Sequence, residues 1–300
     1  MISIIIPTYN NVQLLTQLIK TILLEKNLIY EIIIIDDFST DNTQAICKKF
    51  TQDNIKYYRN SQNVGTTESR MRGLQYAKGN YIKFFDDDDL WISNMLIKQR
   101  RCLIKYNCDF VFGNYRVNNQ IDNVRYNRNL IDYDIDFSKQ ILIGPGPFLQ
   151  TCLFTAEYIK NCIIYFDKQA EPSEDWDFFI SLSKQNPRVA HINYEIFQWN
   201  LNQKSQSANY KQETLALEYI INKHKTYIQK NASKKILASH YRVLGSRFYF
   251  VNNSAKSSYY YKQAFLIFPY SIKNFIHQIL QIFPNNLKIF SYNCINKKII

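Results

Sequence analysis

The feature that most constrains the fold of this sequence is a regular alternation of short apolar runs with amphipathic segments before residue 90. The apolar runs have the length and β-branched content of buried strands and cover residues 3–6, 31–35, 55–58 and 81–85. Helices are predicted between them, at residues 12–24, 43–50 and 68–77. Such a βαβαβαβ series predicts a mostly parallel sheet in a three-layered α/β domain.

The remainder of the chain changes character twice. A helix is predicted at residues 94–106 and a polar loop at residues 118–136. The apolar patterns predict strands at residues 110–117, 149–155 and 188–199. This part indicates a mixed sheet. From residue 211 the apolar spacing is helical, with helices predicted at residues 214–229, 232–252 and 254–268. We therefore predict one domain over residues 1–210 and a helical C-terminal region over residues 211–300.

Polar side chains follow three of the predicted strands where each strand ends. The segment 7–10 (PTYN) follows the first strand, Asp36 and Asp37 follow the second, and the acidic run 86–89 follows the fourth. Ligands in open α/β sheets bind beyond the carboxyl ends of the strands. The sequence therefore predicts a single site at this edge of the sheet.

The acidic run 86–89 has two explanations. Four adjacent carboxylates repel one another, and a hard divalent cation with oxygen ligands removes that repulsion. Alternate residues of an extended segment point the same way, so Asp86 and Asp88 address one point while Asp87 faces elsewhere. Mg²⁺ or Mn²⁺ would complete its shell with water and substrate phosphates. Alternatively, the run caps the following helix, with Asp89 as the N-cap residue.

Four segments carry a resemblance to a known family: SIIIPTYN (3–10), EIIIIDDFSTDNT (31–43), NVGTTESRMRGLQYAKGNYIKFFDDDDLW (63–91) and SEDWDFF (173–179). In this order and spacing, they resemble the inverting family 2 glycosyltransferases of the bacterial surface-polysaccharide type, and the resemblance covers residues 1–207. It implies a GT-A fold, which is a Rossmann-like, mainly parallel mixed sheet flanked by helices. It also implies transfer of a sugar from a nucleotide donor, an activity of the hexosyltransferase class.

The resemblance assigns the nucleotide end of the site to the first two segments. Pro7 and Tyr9 would line the pocket for the base. Asp37 would accept a hydrogen bond from the uracil N3–H, which suits a carboxylate because an ionised carboxylate only accepts. The implied donor is therefore a UDP-sugar.

The third segment supplies the diphosphate and metal contacts in this family. Asn63 and Arg70 would belong to the nucleotide-sugar site, with Arg70 pairing with the diphosphate. Asp86 would approach the ribose, and Asp87 would lie in the same pocket. In the D-x-D motif of the family, Asp88 together with Asp86 would hold Mn²⁺ or Mg²⁺. The alternative for Arg70 is an ordinary charge on the surface of a helix.

The fourth segment matches the catalytic residues of the family. Inverting transfer needs a carboxylate that deprotonates the acceptor hydroxyl as it attacks the anomeric carbon, and Asp175 matches that base. Glu174 would orient the loop or an acceptor hydroxyl, and Trp176 could support a sugar ring. Both carboxylates could also cap the helix that begins at residue 176, and the two interpretations are compatible because helix N-termini favour negative charge.

Two departures from the family pattern concern the phosphate contacts. The chain reads Ser69-Arg70-Met71 where the family often has Ala-Arg-Asn. Near the end of the catalytic domain it reads Phe197-Gln198-Trp199-Asn200 where the family often has Tyr-Arg-x-His. The missing histidine leaves open the metal or phosphate contact that the family makes at this position. Asn200 could still donate to a phosphate, and Lys204 or Ser205 could compensate.

The charge balance indicates an anionic partner. The chain carries 37 Lys and Arg against 25 Asp and Glu, a formal net charge of +12. Nucleic acid, a phosphorylated substrate and an acidic membrane surface all fit that charge. Residues 271–300 form an apolar-faced segment whose charged side chains are all lysines, a pattern typical of a helix lying on an anionic bilayer. The alternative is a helix packed onto the catalytic domain.

By analogy with the family, the acceptor would be a lipid-linked saccharide, used in surface polysaccharide, O-antigen or capsule synthesis. The protein would then work in the cytoplasm, peripherally on the cytoplasmic face of the inner membrane. Six cysteines without CxxC spacing favour a reducing compartment. The N-terminal apolar run is predicted to be a strand, because it is shorter than the core of a signal peptide.

Three other functions compete with this interpretation. Nucleic-acid binding is disfavoured because the sequence has no basic run, no arginine cluster and no recognisable reading motif. A nucleotidyltransferase would be expected to carry a glycine-rich phosphate loop with a nearby lysine, and the segment PTYN has neither. A catalytically inactive relative that binds a nucleotide-sugar stays open. The four scattered histidines indicate no His-based catalysis or metal site.

Overall fold

The computed structural model describes residues 1–26, 28–50, 52–131, 136–162, 166–201 and 209–280. The chain divides into two compact units, Met1–Ala208 and Asn209–Ile300. This division falls close to the boundary at residue 210 that the composition suggests. No helix among the described residues is both long and apolar enough to cross a membrane.

The first unit is built on one mixed sheet. The strands that the structure describes are β1 (Ile2–Thr8), β2 (Tyr30–Asp36), β3 (Ile55–Arg59), β4 (Tyr81–Phe84), β5 (Leu90–Trp91), β6 (Phe110–Asn119), β7 (Val124–Arg128), β8 (Cys152–Thr155) and β9 (Val189–Leu201). Their order is β3-β2-β1-β4-β8-β6-β9-β5, and β7 pairs with β6. Strands β1 to β4 run parallel to one another, whereas β8 runs antiparallel to both β4 and β6.

Helices connect these strands. In the described part of the first unit they are α1 (Val12–Ile22), α2 (Thr43–Cys47), α3 (Thr66–Tyr76), α4 (Met95–Tyr106), α5 (Phe137–Gln140), α6 (Ala156–Asn161) and α7 (Glu174–Ser183), with 3₁₀ turns at Leu149–Thr151 and Lys168–Ala170. The predicted βαβαβαβ series and the mixed second half of the sheet are therefore confirmed.

The centre of the sheet is made of isoleucine runs buried on both faces. Strands β1 and β2 are buried along almost their whole length, which is why they read as continuous apolar runs rather than alternating ones. Helix α3 lies very close to β1. A Cβ atom on Gly73 would come within 2.3 Å of Ile5 Cγ2, so the close approach of this helix requires a glycine.

Several details differ from the sequence-based expectations. Strand β1 continues through Pro7 to Thr8, because its pairing with β4 ends at Ile5 and the missing proline N–H leaves no ladder bond open on that side. Strands β5 and β7 were not predicted, and residues 149–151 form a 3₁₀ turn instead of a strand. Helix α2 ends at Cys47, earlier than expected.

The capping interpretation of the acidic run is wrong. Helix α4 begins at Met95 with Asn94 in the N-cap position, and its first turn contains no acidic residue. Between the acidic run and this helix lies the short strand β5, which pairs with β9. The acidic residues 86–89 therefore need another explanation than a helix cap.

In the second unit the described helices are α8 (Tyr210–Asn231), α9 (Lys234–Phe250), α10 (Ser254–Ile267) and α11 (Ile272–Leu280). The first three begin at Asn or Ser residues whose side chains accept a backbone N–H three positions on, which are Asn209, Ser233 and Asn253. Gly245 of α9 meets the ring of Tyr261, since an added Cβ would lie 2.9 Å from that ring. The helices predicted at 214–229, 232–252 and 254–268 agree with these bounds within a few residues.

Candidate active site

Residues that are far apart in the sequence meet on one guanidinium group in the first unit. Arg70 of α3 is 2% exposed. Its Nη2 donates to both carboxylate oxygens of Asp86, at 2.8 and 3.0 Å, and its Nη1 donates to Glu174 Oε1 at 2.7 Å. Asp175 Oδ1 lies 3.9 Å from the same Nη1. The end of β4 and the start of α7 are thus joined through a single buried arginine.

The electrostatics of this cluster follow from its burial. Burial raises the pKa of Glu174, against the lowering effect of Arg70. Burial also raises the pKa of Asp175 to about 7, again opposed by Arg70. A carboxyl group with a pKa near neutrality can take up and release a proton at physiological pH, which is what a general base requires.

Asp175 is held in place by the start of α7 and by the 3₁₀ turn that precedes β8. Ser173 occupies the N-cap position, and Glu174, Asp175 and Asp177 all lie in the first turn. Asp175 Oδ2 accepts the backbone N–H of Leu149 at 2.9 Å. Asp175 Oδ1 is buried and accepts no hydrogen bond from the described residues. The helix-end interpretation and the catalytic interpretation are therefore compatible, and one carboxylate oxygen is left for another donor.

Gln150 is a site residue that the sequence reasoning missed. Its Nε2 donates to Asp86 Oδ2, so Asp86 is held between Gln150 and Arg70. The backbone carbonyl of Gln150 accepts a hydrogen bond from Lys83 Nζ, and this lysine is 1% exposed. Burial lowers the pKa of Lys83 to about 7. A neutral glutamine outside any motif gave no signal in the sequence.

The acidic run 86–89 is a turn with its carboxylates pointing in different directions. Asp87 accepts hydrogen bonds from Thr8 Oγ1 and from Asn11 Nδ2, so it is turned toward the end of β1. Asp89 is buried and accepts the backbone N–H of Asn200 at 3.1 Å. The Asn200 side chain donates to the backbone carbonyl of Asp88 at 3.1 Å. Where the family often has histidine, this asparagine therefore fixes the acidic turn from β9.

Asp86 and Asp88 fit a divalent cation by their chemistry. Within the described residues, no group of three or more His, Cys, Asp or Glu side chains is arranged as a metal site. Mg²⁺ and Mn²⁺, however, often bind through one or two carboxylates, with water and substrate phosphates as the other ligands. Burial and the negative charge of Asp86 raise the pKa of Asp88 to about 6. A cation beside these carboxylates would offset that cost of ionising them.

Asp37 holds the loop that precedes α3. Its Oδ1 accepts from the Asn60 side chain and from the Val64 N–H, and its Oδ2 accepts from the Gly65 N–H, each at 2.8 Å. Gly65 has φ +100°, a conformation that favours glycine. An ionised carboxylate has about four acceptor sites, so Asp37 can still accept one hydrogen bond, such as that of a nucleobase N–H.

The remaining predicted residues lie around this edge of the sheet. Pro7 is buried at the end of β1, whereas the ring of Tyr9 is 49% exposed just beyond it. Asn63 is exposed beside the loop that Asp37 holds. The structure thus brings Arg70, Asp86, Glu174 and Asp175 into contact, and among the described residues it shows no contact of Pro7, Tyr9 or Asn63 with that cluster. Lys204 and Ser205 lie outside the described residues.

A mixed sheet of this order, with carboxylates beyond the carboxyl ends of β2 and β4, is the arrangement of a GT-A fold. The chain belongs to Glycosyl transferase family 2, whose profile matches residues 3–165.

One relative of known sequence and two solved structures are similar to this chain, and the structures bear on its fold. The Escherichia coli UDP-Glc:alpha-D-GlcNAc-diphosphoundecaprenol beta-1,3-glucosyltransferase WfgD is 30% identical over 212 residues, covering 70% of this chain and 80% of that protein. The S. aureus TarS 1–349 structure in complex with UDP-GlcNAc has a TM-score of 0.62 at 18% identity, covering 89% of this chain and 81% of that one. The mannosyltransferase PcManGT from Pyrobaculum calidifontis, in complex with GDP-Man and Mn²⁺, has a TM-score of 0.57 at 13% identity, covering 99% and 87%.

Proposed function

We propose that this protein is a metal-dependent inverting glycosyltransferase. It would move a sugar from a UDP-sugar to a hydroxyl group of a lipid-linked saccharide in bacterial surface-polysaccharide synthesis. The observation that carries the proposal is the cluster on Arg70, where the candidate base Asp175 and the candidate donor-binding Asp86 are linked through one guanidinium. A base and a donor site must be neighbours in an inverting enzyme, because attack and departure occur at the same carbon.

The base chemistry falls to Asp175. Its carboxylate takes the proton of the acceptor hydroxyl as the hydroxyl oxygen bonds to the anomeric carbon and the bond to the UDP oxygen breaks. The pKa of about 7 suits this role, because a base works best when its pKa lies near the working pH. Glu174, fixed at 2.7 Å by Arg70, orients the start of α7 that carries Asp175.

The leaving-group chemistry falls to the other half of the cluster. Negative charge develops on the UDP phosphate as the sugar departs, and the positive charge of Arg70 stabilises it. Asp86 and Asp88 would hold Mn²⁺ or Mg²⁺. When bound, the cation supplies charge stabilisation to the departing diphosphate. Tyr9 and Pro7 would line the base pocket, with Asn63 and Asp87 at its edge and Asp37 as the acceptor for the uracil N–H.

The donor and acceptor classes are supported by relatives. The name of WfgD gives UDP-glucose as its donor and a diphosphoundecaprenol-linked N-acetylglucosamine as its acceptor. UDP-glucose and a polyprenyl-diphosphate-linked saccharide are therefore the first substrates to test. Such an acceptor is anchored in a bilayer, which agrees with a peripheral position of the protein on the cytoplasmic face of the inner membrane. The tail lysines Lys288, Lys297 and Lys298, which favour such contact, lie outside the described residues.

The first test is calorimetric titration of the protein with UDP, with Mn²⁺ and then with EDTA. We expect binding that requires the cation in the native protein and in Asp53→Ala, a control that removes an exposed carboxylate of the same unit. We expect Asp88→Ala to lose the UDP binding that depends on Mn²⁺. UDP binding that is equal with Mn²⁺ and EDTA would remove the metal from the proposal, and no UDP binding at all would remove the donor.

The competing functions differ in their products. A glycosyltransferase releases UDP from UDP-glucose, whereas a nucleotidyltransferase forms or consumes pyrophosphate. A relative that only binds would show neither product. Release of UDP that depends on the saccharide acceptor is the result that distinguishes the proposal from both.

A further inference from the structure

The second unit exposes large apolar side chains next to lysines on its last two described helices. Leu266, Tyr270, Ile272 and Phe275 are 60%, 89%, 75% and 51% exposed. Lys262 and Lys273 are exposed among them. We name these six residues the α10–α11 face. Scattered single apolar residues on a surface are ordinary, but a group within fourteen positions of the chain needs an explanation.

The geometry of α10 separates this face from the core of the unit. Lys262 and Leu266 are four residues apart and therefore lie on one side of the helix. The side that packs inward carries Ser257, Tyr260, Tyr261 and Ala264, all buried. The exposure of Leu266 is thus a property of the outward side of the helix.

Helix α11 is held against α10 by a buried asparagine. Asn274 is 1% exposed, and its Nδ2 donates to the backbone carbonyls of Ala264 and Phe268, each at 3.0 Å. Its Oδ1 accepts from Arg242 at 3.2 Å. These bonds fix which side of α11 faces inward, so the exposed positions Ile272, Lys273 and Phe275 belong to a built surface.

The net positive charge of the protein comes entirely from this unit. Residues 209–300 contain 14 Lys and Arg and two glutamates, whereas residues 1–208 contain 23 Lys and Arg and 23 Asp and Glu. The net charge of +12 therefore belongs to the second unit alone. After Glu218 the sequence has no Asp or Glu at all. An anionic surface is the complement of this composition.

We propose that the α10–α11 face docks on a bilayer that contains anionic lipid. The acyl region receives Leu266, Tyr270, Ile272 and Phe275, and the anionic headgroups neutralise Lys262 and Lys273. The chain's own segment 281–300 carries three further lysines and no carboxylate side chain, and a second copy would bring another +12. Both would leave the lysines without counter-charge. Nucleic acid would neutralise them but offers no apolar medium for Leu266 and Ile272.

The inference extends the proposed action on a lipid-linked acceptor by naming the surface that meets the membrane. Vesicle binding is measured without donor or acceptor, however, and depends on no residue of the first unit. Its failure would leave the proposed transfer reaction unaffected, and failure of UDP binding would leave the docking surface unaffected.

The test is co-sedimentation of the full chain with vesicles of phosphatidylcholine alone and with vesicles that also contain about 30% phosphatidylglycerol, an anionic lipid. We expect binding only to the anionic vesicles. Lys262→Gln with Lys273→Gln should weaken it on the order of 25-fold, about fivefold for each lysine. Ile272→Ser with Phe275→Ser should weaken it at least about tenfold. The matched control is Lys48→Gln with Lys49→Gln, two exposed lysines of the first unit, which should change nothing.

Several outcomes would overturn the proposal. Equal binding to neutral vesicles would remove the role of charge. Unchanged binding of both face variants, with loss on deletion of residues 281–300, would assign the contact to that segment instead. If the face variants lose binding to a single-stranded RNA or become monomers while vesicle binding persists, the occupant is nucleic acid or a second copy. Circular dichroism and UDP affinity, unchanged in every variant, show that the variants are folded.

Discussion

The two units of this protein distribute their ionisable groups in opposite ways. In Met1–Ala208, positive and negative side chains are equal in number, and several of them are buried, among them Asp89 and the ion pair of Arg70 with Glu174. In the described part of the second unit, Lys and Arg outnumber acids severalfold and none of these charged side chains is buried. Its two glutamates are paired with Arg247 and Lys256.

The difference shows that the net charge and the candidate active site belong to separate units of this molecule. The formal charge of +12 suggested an anionic partner, and the diphosphate of the donor was one candidate. The unit with the candidate active site has no net charge, so the composition says nothing about that site. Its signal is the burial of opposed charges, which is how active sites shift pKa values. The net charge describes a surface of the second unit.

The largest expected effect is a loss of turnover caused by a change in the first unit alone. Asp175→Asn removes the candidate base while keeping its shape, and we expect kcat to fall by about 10²- to 10⁴-fold, the usual contribution of a general base. Glu157→Gln is the matched control, because Glu157 also lies in the first turn of a helix but is exposed. UDP release with UDP-glucose measures turnover, and calorimetry measures UDP affinity. Turnover that persists in Asp175→Asn would contradict the role of this residue.

The same variant tests the independence of the two units. Binding of Asp175→Asn to anionic vesicles should equal that of the native protein, since no charge of the second unit changes. Loss of vesicle binding in this variant would break the comparison and show that the first unit contributes to the membrane contact.

The second prediction concerns the support of Asp86. Gln150→Met keeps the length of the side chain and removes its hydrogen bond to Asp86. Hydrogen bonds to charged groups contribute about 1.5–3 kcal/mol, so UDP affinity in Mn²⁺ should fall on the order of 10- to 100-fold. Gln120→Met is the control, because Gln120 is an exposed glutamine after β6. Equal UDP affinity in both variants would show that Arg70 alone suffices to hold Asp86.

Gln150 also illustrates what the sequence could not reveal. The central strands could be predicted because their isoleucine runs follow from burial on both faces. Strand β5 has only two residues and therefore no period. All five residues of β7 are exposed, and only Val124 and Tyr126 are apolar, which is too few to establish an alternation. Gln150 contacts Asp86 over 64 positions of the chain, through a 3₁₀ turn that no local pattern indicates.

The sequence predicted the site residues that belong to a family motif. It did not predict the site residues whose roles depend on tertiary contacts. Asp86, Arg70 and Asp175 were each identified from the resemblance, but their meeting on one guanidinium depends on the order of the strands in the sheet. Asn200 was identified only as a departure from the family pattern. Its hydrogen bonds to Asp88 and Asp89 are tertiary contacts over more than a hundred positions, and no sequence pattern encodes them.

The pH dependence gives a third, smaller effect. The groups that face Asp175 are Arg70, Glu174 and Asp86, and burial is the main cause of its raised pKa of about 7. The base is active when deprotonated, so kcat/KM should be level above pH 7 and fall about tenfold per pH unit below it. Vesicle binding depends on lysine and arginine charges and should show no loss over this range. A profile that is level down to pH 5 would contradict the assignment of the base.

The smallest expected effect compares the packing of the two units. In Gly245→Ala the new Cβ would lie 2.9 Å from the ring of Tyr261, and in Gly73→Ala it would lie 2.3 Å from Ile5 Cγ2. Overpacking costs about 1–3 kcal/mol of unfolding free energy, and we expect the lower end for Gly245→Ala because a ring can shift more easily than a central strand. Gly144→Ala is the control, since its Cβ would meet no atom within 4 Å. Denaturant titration measures each change.

UDP affinity should fall only in Gly73→Ala, because Gly73 lies on the helix that carries Arg70. Equal losses of UDP affinity in both variants would mean that the second unit supports the nucleotide site.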